Sequence, residues 1–330
     1  MKNLGTYHRG GFTLIELLVV MVIMVSLAGL SLGGYFYMER SSKFRRAMTE
    51  AEGVFVAATQ TARFLQAPAW VIIDPEKGEL TSYGLETVAS WHFEQNEASQ
   101  GIPLVYKGNV QVKAGYAGSG ILVGMDPEFP EGGAVASVPA SRFPDGGYFE
   151  CYVKPLDSGK GQVVFRWGKT VSLTIVEGLR LEGRIGGETL RNPDIRVNAF
   201  RWARFGILFS RDYVSMMMDD AVLAGREPRD FPELEGEVEL PAVDAPVHGC
   251  VDEARLLRVR ELGKWVRQLG MAPAGDDRKF VWYKPDGTLD ASLSPGPITV
   301  NVGGEGSSGQ SFTITVTPDG EVRAALGGGQ

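Results

Sequence analysis

Cysteine, histidine and net positive charge are what this sequence has least of. Its 330 residues include two cysteines, Cys151 and Cys250, and three histidines, His8, His92 and His248, with no CxxC pair and no spaced histidine cluster. A zinc site and a histidine acid–base centre are therefore not indicated. Thirty-three basic residues against 40 acidic ones leave a net charge of −7. That balance argues against the sequence-independent phosphate binding of nucleic-acid proteins, and no nucleic-acid partner is expected. No Gly-x-Ser-x-Gly elbow occurs, and Gly303-Gly304-Glu305-Gly306 lacks the lysine and following helix of a phosphate loop. No proline precedes Pro68, so nothing before it forbids a long helix.

What is present is a chain with real cores, 44% hydrophobic and long enough for two compact domains. Its first forty residues are the least ordinary. Residues 1–11 are polar and basic, the apolar run starts abruptly at Phe12, and no charge occurs from Leu17 to Gly34. Such a run is about the length that spans a bilayer. A secretory signal peptide or a plain anchor would look similar. Glu16 speaks against both, because a carboxylate at mid-bilayer costs roughly 2.5–3.5 kcal/mol and implies a function or a partner.

The string Arg9-Gly10-Gly11-Phe12-Thr13-Leu14-Ile15-Glu16 resembles the leader junction of type IV pilins and of the pseudopilins of type II secretion. The resemblance implies cleavage between Gly11 and Phe12 by a prepilin peptidase, N-methylation of Phe12, and retention of the apolar helix in the cytoplasmic membrane with the head in the periplasm. It also gives Glu16 a partner, the amino terminus of a neighbouring pilin or pseudopilin in the fibre. Lone charges of either sign are costly in a low dielectric, so each has reason to find the other. Charge alone favours the opposite orientation, with Lys2 and Arg9 before the span and Arg40, Lys43, Arg45 and Arg46 after it; the leader motif outweighs it. Many pilins carry a proline inside this helix; here Gly29, Gly33 and Gly34 are the candidate flexible points.

Phe44, Met48, Ala51, Phe55, Ala58, Ala62 and Leu65 follow steps of four and three, one apolar seam. The helix is thus expected over 12–65, on the order of 80 Å at 1.5 Å per residue. Strands and Pro-Asp-Gly turns on both sides of a long middle segment resemble the head of H-type minor pseudopilins and T-type fimbrial proteins: Ala69 to Ile73 early, then Lys279 to Tyr283, Ile298 to Val302 and Phe312 to Val316. That resemblance implies a small β head made of 66–89 and 262–330, split by an insertion at 90–261.

Within the insertion, strands around Trp91, Gly120 to Val123, Gly147 to Val153, Ala203 to Ser210, Tyr213 to Met218 and Val251 to Leu257 alternate with glycine- and proline-rich turns. This pattern argues an antiparallel β-sandwich, and its order resembles the laminin-G-like or concanavalin-like jelly roll. The expected class is α+β: an N-terminal transmembrane helix, a small β head and an inserted jelly roll. In folds of that kind the strands bearing Cys151 and Cys250 can be neighbours, so a disulfide is expected, with two buried free thiols as the alternative.

Jelly rolls include glycosidases, which place two carboxyl groups across a sugar. Glu150 stands alone on its strand, and Asp252 and Glu253 are adjacent, so on a regular strand they point to opposite faces. No enzyme and no cofactor are expected. Asp219-Asp220 is a weak calcium candidate set against a plain hairpin turn. Met216, Met217 and Met218 read as strand packing. The reading that follows is a minor pseudopilin or pilin whose sandwich touches exported proteins or glycans. The alternative is a pilus-borne adhesin, for which Trp167 and Trp202 are the aromatics to watch.

Overall fold

The computed structural model describes residues 14–93, 101–128, 130–157, 161–268, 270–275, 277–304 and 311–327. The leader, with the cleavage and methylation positions Gly11 and Phe12, lies outside the described residues, as does His8. The chain separates into two compact units, 1–50 and 51–330.

The first unit is helical from Leu14 onward, within a single helix that spans Leu14–Leu65. Leu17 to Val25 expose their side chains all round the axis. A helix apolar on every side suits hydrocarbon or other helices, not water, and this one is long and apolar enough to cross a membrane. It runs unbroken through Gly29, Gly33 and Gly34. Beyond the apolar run the surface turns to charge pairs one turn apart, Glu39 with Lys43 at 2.7 Å and Arg46 with Glu50 at 2.8 Å.

In the second unit the end of the helix buries Ala51, Phe55, Ala58 and Ala62, the seam expected from the sequence. Its stop is written in backbone geometry. Gln66 is left-handed at φ 49° and the Ala67 N–H reaches back to the Ala62 carbonyl at 3.3 Å, a Schellman closure, before Pro68 forbids another turn. Arg63 then donates to the carbonyls of Asp286 at 3.1 Å and Asp319 at 3.0 Å. These belong to the two Pro-Asp-Gly turns. Gly287 and Gly320 sit at φ 79° and 81°, and a side chain on Gly320 would overlap the Gly287 carbonyl. The motif is therefore a packing device: two left-handed turns held together under one arginine.

The strands form three antiparallel sheets. A ten-stranded sheet runs in the order Ala221–Arg226, Val214–Met218, Ala203–Ser210, Gly146–Pro155, Gly249–Val266, Glu79–Trp91, Ala69–Asp74, Lys279–Tyr283, with Gln111–Ala114 and Ser119–Val123 attached beside Gly249–Val266. A seven-stranded sheet carries Glu188–Arg191, Arg180–Ile185, Val171–Val176, Gln162–Trp167, Val238–Glu239, Gly132–Ala136 and Val105–Gly108. Met271–Pro273, Ile298–Gly304, Ser311–Val316 and Val322–Leu326 make a small third sheet.

Between the two large sheets lies the sandwich core, with Phe149, Phe205, Ile207 and Leu256 from one side and Phe165, Trp167, Leu173 and Ile175 from the other. The ten-stranded sheet is buried on its second face too. There Trp70, Tyr148, Leu208, Tyr213, Met217, Leu257 and Trp282 form another cluster, so these strands read as near-continuous apolar runs. The sheet's two ends meet over this cluster: Tyr213 packs on Phe280 at 4.7 Å, and Asp290 accepts the Val222 N–H at 3.1 Å.

The expected insertion boundaries, 89/90 and 261/262, fall inside Glu79–Trp91 and Gly249–Val266. These two strands pair without interruption from Ala254 opposite Trp91 to Val266 opposite Glu79, apart from two register shifts. Head strands and sandwich strands are thus parts of one sheet.

The expected disulfide is corrected. The strands bearing Cys151 and Cys250 are neighbours, but the thiols project from opposite faces: Cys151 joins the sandwich core, while Cys250 precedes Val251, which takes the core side. Both thiols are free, and burial pushes that of Cys151 well up.

Glu150, 2% exposed, is a buried carboxylate on the second face of the ten-stranded sheet. Arg255 donates to it at 2.5 Å and also to the carbonyls of Leu65 and Gln66 at 3.3 and 2.9 Å. Arg204 approaches its other oxygen at 4.0 Å. One guanidinium therefore neutralises a buried charge and caps the helix's last orphan carbonyls. Arg255→Leu is expected to cost about 3–5 kcal/mol by stranding the Glu150 carboxylate, and Arg255→Leu with Glu150→Leu much less, as read by urea unfolding.

Candidate functional site

Among the described residues, three places stand out for polar or aromatic chemistry beyond packing. The first is the outer face of the seven-stranded sheet, a groove of about 750 Å³ lined by Arg166, Ser172, Thr174, Glu182, Arg184 and Glu239 among others. Ser172 and Thr174 alternate with buried Val171, Leu173 and Ile175, which is why this face is wet. Its charges answer one another. Arg166 binds Glu239 and Asp244, each at 2.7 Å, and Glu182, 5% exposed at its side chain, takes Arg184 at 2.9 Å and Arg191 at 2.6 Å. Burial draws the Glu182 carboxyl upward, but the Arg191 and Arg184 guanidiniums hold it below the usual range; Arg166 does the same for Asp244. With no aromatic lining, this is a laced, solvated sheet face.

The second is the pair of sequence candidates for calcium. Asp219 and Asp220 are left-handed at φ 48° and 70° and form the hairpin turn between Val214–Met218 and Ala221–Arg226. Asp219 accepts the Arg204 N–H at 2.8 Å, and Asp220 pairs with the Arg204 guanidinium. Both carboxylates thus serve one arginine, and the calcium expectation gives way to the plain turn. The two described histidines each meet a carboxylate, His92 that of Glu253 at 2.8 Å and His248 that of Asp157 at 2.7 Å.

The third place was not legible as a cluster. Tyr116, in the loop between Gln111–Ala114 and Ser119–Val123, stacks flat on Tyr152 with centroids 3.9 Å apart and planes 11° apart. Trp202 stands edge-on to Tyr116 at 6.0 Å and 68°. Tyr116 is 52% exposed, and Phe200, two residues before Trp202, is exposed as well. Asp252, fully buried, holds the loop: one carboxylate oxygen accepts the N–H groups of Tyr116 at 2.7 Å and Ala117 at 3.0 Å, and the other accepts that of Glu253 at 2.8 Å. Trp167, the other aromatic singled out from sequence, is fully buried against Phe143 and Phe209 and faces no ligand.

Residues 7–32 match the family model of the prokaryotic N-terminal methylation motif. The chain thus carries a prepilin-type methylation motif, a long apolar helix and a β-sandwich, the combination of a membrane-anchored protein with a C-terminal head. Among solved structures, domain 4 of AbnA, a GH43 extracellular arabinanase from Geobacillus stearothermophilus in complex with arabinotriose, is similar at 13% identity and TM-score 0.43, over 54% of this chain and 94% of that one. The botulinum neurotoxin serotype D binding domain is similar at 9% identity and TM-score 0.41, over 73% of each chain. The CBM40 of Ruminococcus gnavus IT-sialidase, bound to α2,3 sialyllactose, is similar at 12% identity and TM-score 0.32, over 46% of this chain and 90% of that one. Similarity this distant says nothing about what the chain binds. No curated protein matches it.

The groove's lacing gives a pH signature. A carboxyl whose folded pKa is depressed contributes stability above its unfolded value of about 4 and loses it as pH falls through the folded one. Glu182→Gln is therefore expected to lower the urea midpoint at pH 7, with the gap to wild type narrowing as pH falls below the unfolded carboxyl value of about 4.

Proposed function

We propose that this chain is a minor pseudopilin or pilin subunit of a type II secretion system or a related type IV pilus machine. The observation that carries the reading is the methylation motif at residues 7–32, which takes in the start of an apolar helix that Glu16 alone interrupts there. A prepilin peptidase would cut between Gly11 and Phe12, the new amino terminus at Phe12 would be methylated, and the helix would stay in the cytoplasmic membrane until assembly. Glu16 then acts in register, meeting the amino terminus of the neighbouring subunit where a low dielectric rewards the pairing. The head stands in the periplasm and works by contact, with exported proteins or surface glycans as its partners; it is not an enzyme.

A pilus-borne adhesin is the second reading, and the Tyr116–Tyr152–Trp202 cluster favours it, since exposed stacked rings are costly to leave in water without use.

Two variants test the fibre reading. Gly11→Val should accumulate as the uncut precursor on a denaturing gel. Glu16→Ala should be cut and inserted like wild type but enter sheared fibres at about a tenth of the wild-type level or less, as scored by immunoblot, a loss of some 1.4 kcal/mol per contact. Normal incorporation of Glu16→Ala would sink this account.

A further inference from the structure

We propose that Tyr116, Tyr152 and Trp202 form a stacking site for a pyranose ring of a glycan. The proposal rests on the reading of the head as the contact part of the subunit, and it names that contact.

The geometry is that of a corner. Tyr152 covers one face of the Tyr116 ring, Tyr116 stays 52% exposed, and Trp202 stands beside it as a wall inclined at 68°. The corner is built rather than incidental. Tyr152 belongs to the Gly146–Pro155 strand in the middle of the ten-stranded sheet. Tyr116 is fixed through its own N–H to Asp252 on the adjoining strand. The Phe200 N–H bonds the Pro155 carbonyl at 2.7 Å, which pins the segment that leads into Trp202. Two rings sharing a plane direction and a third steeply inclined to them are thus held by three different parts of the chain, with little side-chain freedom left to lose on binding.

The occupant follows from size and surroundings. A stable protein interface needs about 800 Å² from each partner with an apolar centre, and three rings bordered by charged groups fall short of that. Lys154 lies two residues past Tyr152 on the same face of its strand, and the Arg204–Asp220 pair lies across from Tyr152 on the neighbouring strand. A flat apolar ring face surrounded by donors and acceptors matches a sugar, which presents C–H groups on one face and hydroxyls around its edge. Stacking of nucleobases would use the same rings, but a chain with a net charge of −7 is poorly suited to a polyanion.

The six tryptophans supply the readout. Five of them, Trp70, Trp91, Trp167, Trp265 and Trp282, are fully buried, and Trp202 is the one within reach of solvent. Acrylamide quenching of the full-length protein, held in a detergent without a sugar headgroup, therefore reports on Trp202. The probes are maltohexaose, cellohexaose, chitohexaose and a hyaluronan hexasaccharide, with a dT12 oligonucleotide as the nucleic-acid arm. At least one oligosaccharide is expected to shield Trp202 with a Kd in the region of 1 mM or tighter. Tyr116→Ala should weaken that binding about tenfold, while Tyr116→Phe, which keeps the stacking face, should stay within about threefold. Because Tyr116 is half-exposed, its variants leave the core intact, and unchanged emission from the five buried tryptophans checks this. Failure of all four sugars to shield Trp202, shielding by dT12 alone, or equal affinity in Tyr116→Ala would each overturn the proposal. Glu16→Ala separates the two readings: it should bind sugar as wild type does, so loss of fibres with retained shielding, or the reverse, shows which one has failed.

Discussion

Everything beyond the membrane helix depends on two strands being long. Glu79–Trp91 and Gly249–Val266 pair along most of their length, and between them they touch both apolar cores. Trp91, Val251 and Leu256 point into the sandwich, while Leu85, Leu257 and Val259 point the other way, into the cluster built on Trp70 and Trp282. A β-strand offers alternate residues to opposite faces, so a strand buried on both sides stitches two cores into one folding unit. The consequence is thermodynamic. The sandwich cannot be cut out at 90 and 261 without severing two strands and stripping one wall from the second core. What the sequence order presents as an insertion is, in energy, part of the head.

The same strand holds the helix. Arg255 takes the Glu150 carboxylate and the last helical carbonyls together, and Arg63 takes the carbonyls of both Pro-Asp-Gly turns. Each guanidinium meets groups that burial or helix termination would otherwise leave without partners, which is where arginine's fixed fork of donors has most effect. The end of the helix is thereby tied to the sheets by side-chain donors as well as by packing. These two residues are the polar part of that joint, and the seam of Ala51, Phe55, Ala58 and Ala62 is its apolar part.

Much of this was legible in the sequence. The seam, the helix stop before Pro68, the Pro-Asp-Gly turns and most strands of the ten-stranded sheet follow from periodicity and turn chemistry, which act over a few residues, whereas Gln111–Ala114 and Ala221–Arg226 were not expected. The seven-stranded sheet did not emerge, although Val171 to Val176 carries the alternation of a half-buried strand; that alternation marks a strand without saying which sheet it joins. The disulfide failed for a related reason: adjacency of two strands is a matter of topology, whereas the facing of two thiols is a matter of register, and one residue of register reverses the answer. The aromatic corner was the least legible. Tyr116, Tyr152 and Trp202 lie 36 and 50 positions apart, and no local pattern joins residues brought together by three different strands and loops. Trp202 could be singled out as an aromatic; its neighbours could not.

Register also explains how one strand serves both the joint and the corner. Asp252 lies opposite Tyr152 and Arg255 opposite Glu150, so the two share a face although they are three residues apart. Regular alternation would send them to opposite faces. The extra residue is accommodated at Glu253, left-handed at φ 47°, where the pairing slips. Without that bulge, either Arg255 would leave the helix end or Asp252 would leave the Tyr116 loop. The adjacent Asp252-Glu253 pair, which looks in sequence like ordinary strand residues or a displaced catalytic couple, is therefore the element that sets the anchored end of the head and its aromatic corner in fixed relation along one strand.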